Sequence, residues 1–159
     1  MIFQRKEKNL LAVANGRALP LSSVPDEVFA SGMLGVGFAI EPLDGTVYAP
    51  ASGRVESIAE AKHACTILTD DGLDLLVHIG IDSVTLAGDG FMPMVEVGDQ
   101  IRAGEVIARV DLNVLRGRNI PSVIPVIVGN PEAIQIKKIR EGQVIGGEDA
   151  VLDYRLLKS

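Results

Sequence analysis

The chain has 159 residues, of which 47% are apolar and 23% charged, with a net charge of −6 and a pI near 4.9. That length supports one domain with a sizeable core, and the acidic balance argues against nucleic acid and favours basic protein partners. The single cysteine, Cys65, excludes an internal disulfide and fits a reducing cytoplasm.

From the N-terminus, MIFQRKEKN lacks the apolar segment of a signal peptide, and no later run reaches the length of a membrane span. A cytoplasmic protein without direct membrane insertion is therefore expected. Residues 1–8 are polar and expected to fray, leaving 9–159 as a single domain with no Pro/Ser/Gly-rich linker. Clusters of Val, Ile and Leu predict strands over 9–14, 16–21, 36–41, 46–48, 53–59, 64–69, 73–79, 106–110, 123–128 and 151–156. Asn15-Gly16, Asp44-Gly45, Asp71-Gly72, Gly88-Asp89-Gly90 and Gly146-Gly147 supply the turns. Pro25–Ala30, with Ser23 as cap, and Asp111–Arg116, with Asp111 as N-cap, read as short helical turns. The segments VYAPASGRVESI and MVEVGDQIRAGEVIARVD echo each other, each turning through Gly into a β-branched strand. The pattern is that of a compact all-β antiparallel sandwich, with an echo of the kind that recurs in barrel-sandwich folds.

Only two histidines occur, His63 before one predicted strand and His78 at the end of the next. A hairpin folded at Asp71-Gly72 brings them close to opposite each other, where facing residues have Cβ atoms about 4.5–5.5 Å apart. A slip of one position would turn one ring to the other face. Each histidine has a plain reading as a satisfied structural residue. The chemical reading is that one imidazole attacks a phosphoryl group while its other nitrogen is held by an acceptor, and the second donates to the phosphoryl oxygens. No third or fourth ligand stands at zinc spacing, so no metal or cofactor is expected. Cys65 reads as a small buried hydrophobe, and Gly35-Val36-Gly37 lacks the Lys, Ser or Thr of a phosphate loop.

The stretch VHIGIDSVTLAGDGF resembles the enzyme IIA domain of the glucose class of the bacterial phosphoenolpyruvate-dependent sugar phosphotransferase system. That family carries His-Phe-Gly-Ile-Asp-Thr-Val followed by Gly-Glu-Gly-Phe. Here the segment is His78-Ile79-Gly80-Ile81-Asp82-Ser83-Val84, followed by Gly88-Asp89-Gly90-Phe91. The segments SSVPDEVFASGMLGVGFAIEP, VYAPASGRVESI, AKHACTI and IPVIVGN resemble further family strands, so the likeness runs from about Leu10 to Leu156.

The resemblance implies a phosphotransferase component. His78 would accept a phosphoryl group from the phosphocarrier protein HPr and pass it to a IIB domain of a sugar permease, and His63 would contact that group. Asp26 and Phe29 would lie on the partner rim, with Asp82 an acidic neighbour. A second reading is a regulatory protein whose phosphorylation state controls partner enzymes or transporters. Ile79 and Ser83 are mild departures from the family segment, whereas Ala61 lacks the hydroxyl that many members carry two residues before the second histidine. The Met start and short polar N-terminus favour a free-standing chain and give no ground for a membrane-docking segment.

Overall fold

Short apolar runs rich in β-branched residues, cut by Gly, Asp and Asn, cannot sustain helices and instead pair as strands. The computed structural model describes residues 8–157. Its strands are β1 (Lys8–Leu11), β2 (Gly16–Pro20), β3 (Val36–Pro42), β4 (Thr46–Tyr48), β5 (Gly53–Ile58), β6 (Ala64–Thr69) and β7 (Asp74–His78). They continue with β8 (Phe91–Pro93), β9 (Gln100–Ile101), β10 (Val106–Val110), β11 (Ile124–Val128), β12 (Ile134–Ile139), β13 (Gly142–Val144) and β14 (Ala150–Leu156). Two short helices, α1 (Glu27–Ala30) and α2 (Leu112–Gly117), and three 3-10 turns complete the described residues.

An eight-stranded sheet runs β13-β2-β3-β11-β7-β6-β5-β9, and two three-stranded sheets run β1-β14-β12 and β4-β10-β8. Every pairing among the described residues is antiparallel. The expected all-β sandwich with short helical turns is therefore observed. The two echoing segments pair with each other, because β4 lies against β10 and β5 against β9.

The main core fills the space between sheets with Phe38, Ile40, Leu75, Val77, Val126 and Val128 among its members. A second cluster of Val24, Phe29, Ala39, Ile81, Val123 and Ile127 covers the other face of the large sheet. Central β11 is consequently buried at every position, which explains its unbroken apolar sequence. Its neighbour β7 carries His78 at its end, in the middle of the sheet, with β6 on the other side.

Four expectations are corrected. Lys8 does not fray: it pairs with Tyr154 in the ladder, and its Nζ lies 3.0 Å from Asp71 Oδ1. Residues 1–7 lie outside the described residues. Residues 12–14 are fully buried but form no strand, since their backbone bonds to separate segments: Ala12 N–H to Asp149 O, Tyr48 N–H to Val13 O. Ser23 ends a 3-10 turn (Leu21–Ser23) and caps nothing; Asp26 is the N-cap of α1, its Oδ1 accepting from Val28 N–H at 2.8 Å. Strands β8, β9, β12 and β13 were not anticipated. Asp111 does cap α2, accepting from Asn113 N–H at 3.0 Å.

Candidate active site

The β6–β7 hairpin turns through Asp70-Asp71-Gly72, with Gly72 at φ +86° and the Thr69 N–H bonded to Leu73 O. Its register sets Ala64 opposite His78 and places His63 beside Ile79, whose N–H donates to His63 O at 2.7 Å. That is one position away from direct opposition of the histidines, and strict alternation would send their rings to opposite faces. Alternation fails at Lys62, which has the left-handed φ of +66°, and His63 lies in the bend before β6 begins. The two rings meet edge-to-face, 4.8 Å between centroids and 82° between planes.

The partners of each nitrogen decide the chemistry. His78 Nδ1 lies 2.7 Å from the carbonyl oxygen of Gly80. A carbonyl can only accept, so Nδ1 carries the hydrogen and Nε2 keeps its lone pair. Burial, chiefly, holds the His78 pKa below 6.5; nearby His63 adds to this, while the Gly80 carbonyl, Asp26 and Asp82 pull the other way. Burial also lowers His63. Burial thus favours the neutral form of both rings. His63 is 9% exposed, and its Nδ1 is buried with no hydrogen-bond partner. Burying a bare lone pair costs less than burying an orphaned N–H, which leaves the hydrogen of His63 on Nε2.

Other side chains frame the pair. Phe29 packs a tilted ring 5.0 Å from His78, and Phe91 lies 6.4 Å from His63. At 7% exposure Phe29 supports the His78 ring more than it offers a face to a partner. Asp26 is half-buried and engaged as a helix cap, whereas Asp82 is exposed, with a left-handed φ of +58°. The hydroxyls of Thr66 and Ser83 do not serve His63: Thr66 Oγ1 bonds Ser57 Oγ at 2.6 Å, and Ser83 Oγ donates to Ile79 O at 2.6 Å. Cys65 packs against the core with its thiol pushed up to about 11 by burial, which makes it a poor nucleophile. Among the described residues no group of three or more His, Cys, Asp or Glu could hold a metal ion, and no helix is long and apolar enough to cross a membrane.

Phe91 and the Gly80 carbonyl are parts of the site that single-residue reasoning missed. Phe91 sat in plain view within the Gly-Asp-Gly-Phe motif.

One neutral imidazole with a free lone pair, beside a second able to donate, is the equipment of a histidine-based group carrier. The family profile described as phosphoenolpyruvate-dependent sugar phosphotransferase system, EIIA 1, matches residues 8–134. The glucose-specific EIIA component of Staphylococcus aureus is 37% identical over 153 residues, covering 96% of this chain and 92% of the relative. The glucose-specific EIICBA component of Staphylococcus saprophyticus is 42% identical over 135 residues, 85% of this chain; the match spans 20% of that larger protein. The solved structure of glucose permease IIA from Mycoplasma capricolum superposes with a TM-score of 0.88 at 36% identity, covering 96% of this chain and 99% of that one. The chain belongs to the EIIA 1 family of the phosphoenolpyruvate-dependent sugar phosphotransferase system and is a phosphotransferase component of it.

Proposed function

We propose that His78 Nε2 accepts a phosphoryl group from phospho-HPr and passes it to a IIB domain for sugar uptake and phosphorylation. The observation that carries this reading is the Nδ1–Gly80 contact of 2.7 Å, which commits one nitrogen to the backbone and leaves the other as nucleophile. As the Nε2–P bond forms, the bond from phosphorus to the donor breaks and its electrons leave with the donor. The hydrogen stays on Nδ1, donated to the Gly80 carbonyl, whose oxygen meets the positive charge developing on the ring. His63, 4.8 Å away, offers Nε2–H to the phosphoryl oxygens, whose spread negative charge is largest as the group is in flight.

Partner docking uses the elements that flank His78. Val28 and Val84 stay 43% and 57% exposed on either flank, and Asp26 and Asp82 add negative potential for a basic partner. The names of the multidomain relatives join A, B and C components in one protein, which supports a IIB domain as the onward acceptor.

Incubation with phosphoenolpyruvate, enzyme I and HPr should place acid-labile phosphate on His78. The neutral ring is the reacting form, and burial lowers the His78 pKa, so uptake should persist to lower pH than an ordinary imidazole with a pKa of 6.5 would allow. It should decline only as pH falls through the lowered value. A midpoint at or above 6.5 in single-turnover labelling contradicts this account.

His63 Nδ1 has no hydrogen-bond partner, and Ala61, two residues before it, carries no hydroxyl. In Ala61→Thr a hydroxyl would be supplied from the position where relatives carry one. A neutral hydrogen bond contributes roughly 0.5–1.5 kcal/mol net, so onward transfer to a IIB domain should quicken by up to about tenfold. Single-turnover transfer measures it; an unchanged or slower rate means that His63 is already held.

A further inference from the structure

We infer that Ser83 is a positioning residue for His78: its hydroxyl fixes the peptide that aims the Gly80 carbonyl at Nδ1, and so selects the nitrogen that is left free. This rests on the reading of His78 as acceptor.

Ser83 is fully buried, at 0% exposure, and opens a 3-10 turn (Ser83–Leu86). Its Oγ donates to the carbonyl of Ile79 at 2.6 Å. That carbonyl belongs to the same peptide plane as the Gly80 N–H, which donates to Val123 O at 3.0 Å. The Ile79–Gly80 peptide is therefore held at both ends. In the following peptide, Ile81 N–H donates to Pro121 O at 3.0 Å, and the carbonyl faces His78 Nδ1. Gly80 is the joint between these two planes, at φ +81°. A Cβ there would stand 3.0 Å from Pro121 O and 3.1 Å from Ser83 Cβ, so Ser83 also walls the joint.

Free histidine prefers its hydrogen on Nε2, the tautomer in which the attacking lone pair is absent from that nitrogen. The Gly80 carbonyl reverses the preference only while it points at Nδ1. Without the Ser83 hydroxyl the buried Ile79 carbonyl loses its donor, and the peptide turns to recover one. The Gly80 carbonyl then loses its aim.

The test uses the full chain with 15N-labelled histidine, reading the His78 tautomer from long-range proton–nitrogen spectra and uptake from phospho-HPr. Wild type and Ser83→Thr should hold the Nδ1–H tautomer. Thr is the residue that the related His-Phe-Gly-Ile-Asp-Thr-Val segment carries there. Ser83→Ala should show mixed tautomers and take up phosphate about threefold to tenfold more slowly, the span expected for one neutral hydrogen bond. A folded Ser83→Ala with an unmixed Nδ1–H tautomer and an unchanged rate overturns the inference. If Ser83→Ala does not fold, Ser83→Cys keeps the shape with a weaker donor and should shift the tautomer in the same direction; no shift overturns the inference equally. The tautomer readout needs no phosphate, so label found on another residue in wild type would overturn the acceptor reading separately.

Discussion

His78→Ala is expected to lose phosphoryl uptake completely while keeping its fold. The ring is half-buried at the end of β7, and the strand pairs through backbone groups that alanine retains. The loss should be absolute, because no other group in the site offers a comparable nucleophile. His63 keeps its bare nitrogen buried, and the Cys65 thiol is pushed up to about 11. Labelling with radioactive phosphoenolpyruvate through enzyme I and HPr, with circular dichroism to check the fold, decides the matter. Full labelling of the variant would move the acceptor elsewhere.

His63→Ala should separate the two imidazoles. The variant should still be labelled on His78, since the Nδ1–Gly80 contact does not involve His63. Onward transfer to a IIB domain should fall on the order of 10²–10³, the loss seen when one donor to a developing negative charge is removed. Mass spectrometry that finds the phosphoryl group on His63 in wild type would reverse the roles. Loss of the neighbouring ring should also relieve part of the downward pressure on the His78 pKa, so the uptake midpoint should rise in this variant.

Much of this arrangement was legible in the sequence. Strands 46–48, 64–69 and 106–110 were read to their limits, because β-branched runs ended at Gly, Asp or Asn that could only turn. The missed strands lack that contrast. Sequence Ile134–Ile139 reads IQIKKI, with two adjacent lysines in a strand at the border of its sheet, while β8 (FMP), β9 (QI) and β13 (GQV) hold no run of β-branched residues. Ala12-Val13-Ala14 misled in the other direction, because complete burial looks the same whether the backbone joins a ladder or crosses between sheets. At the site, the hairpin brought the histidines within one register position of each other but did not fix which face each ring takes. The left-handed Lys62 that turns His63 onto the same side carries no local signal, since lysine there is held by its surroundings rather than by its own preference. The tautomer of His78 was equally out of reach, because it is set by a backbone carbonyl whose direction depends on Val123, Pro121 and Ser83 together.

The tie between His78 Nδ1 and the backbone leaves the carrier with a single berth. On the proposed role of His78, donor and receiver would each bring their reacting atom along the one line that ends at Nε2, so they could not be seated together. Transfer would then follow double-displacement kinetics, with either partner in excess blocking the other by occupying the berth in the wrong phosphorylation state. Throughput depends on how fast each complex lets go. Selection on such a surface favours weak, quickly exchanging contacts over tight ones, because affinity is gained mostly by slowing departure.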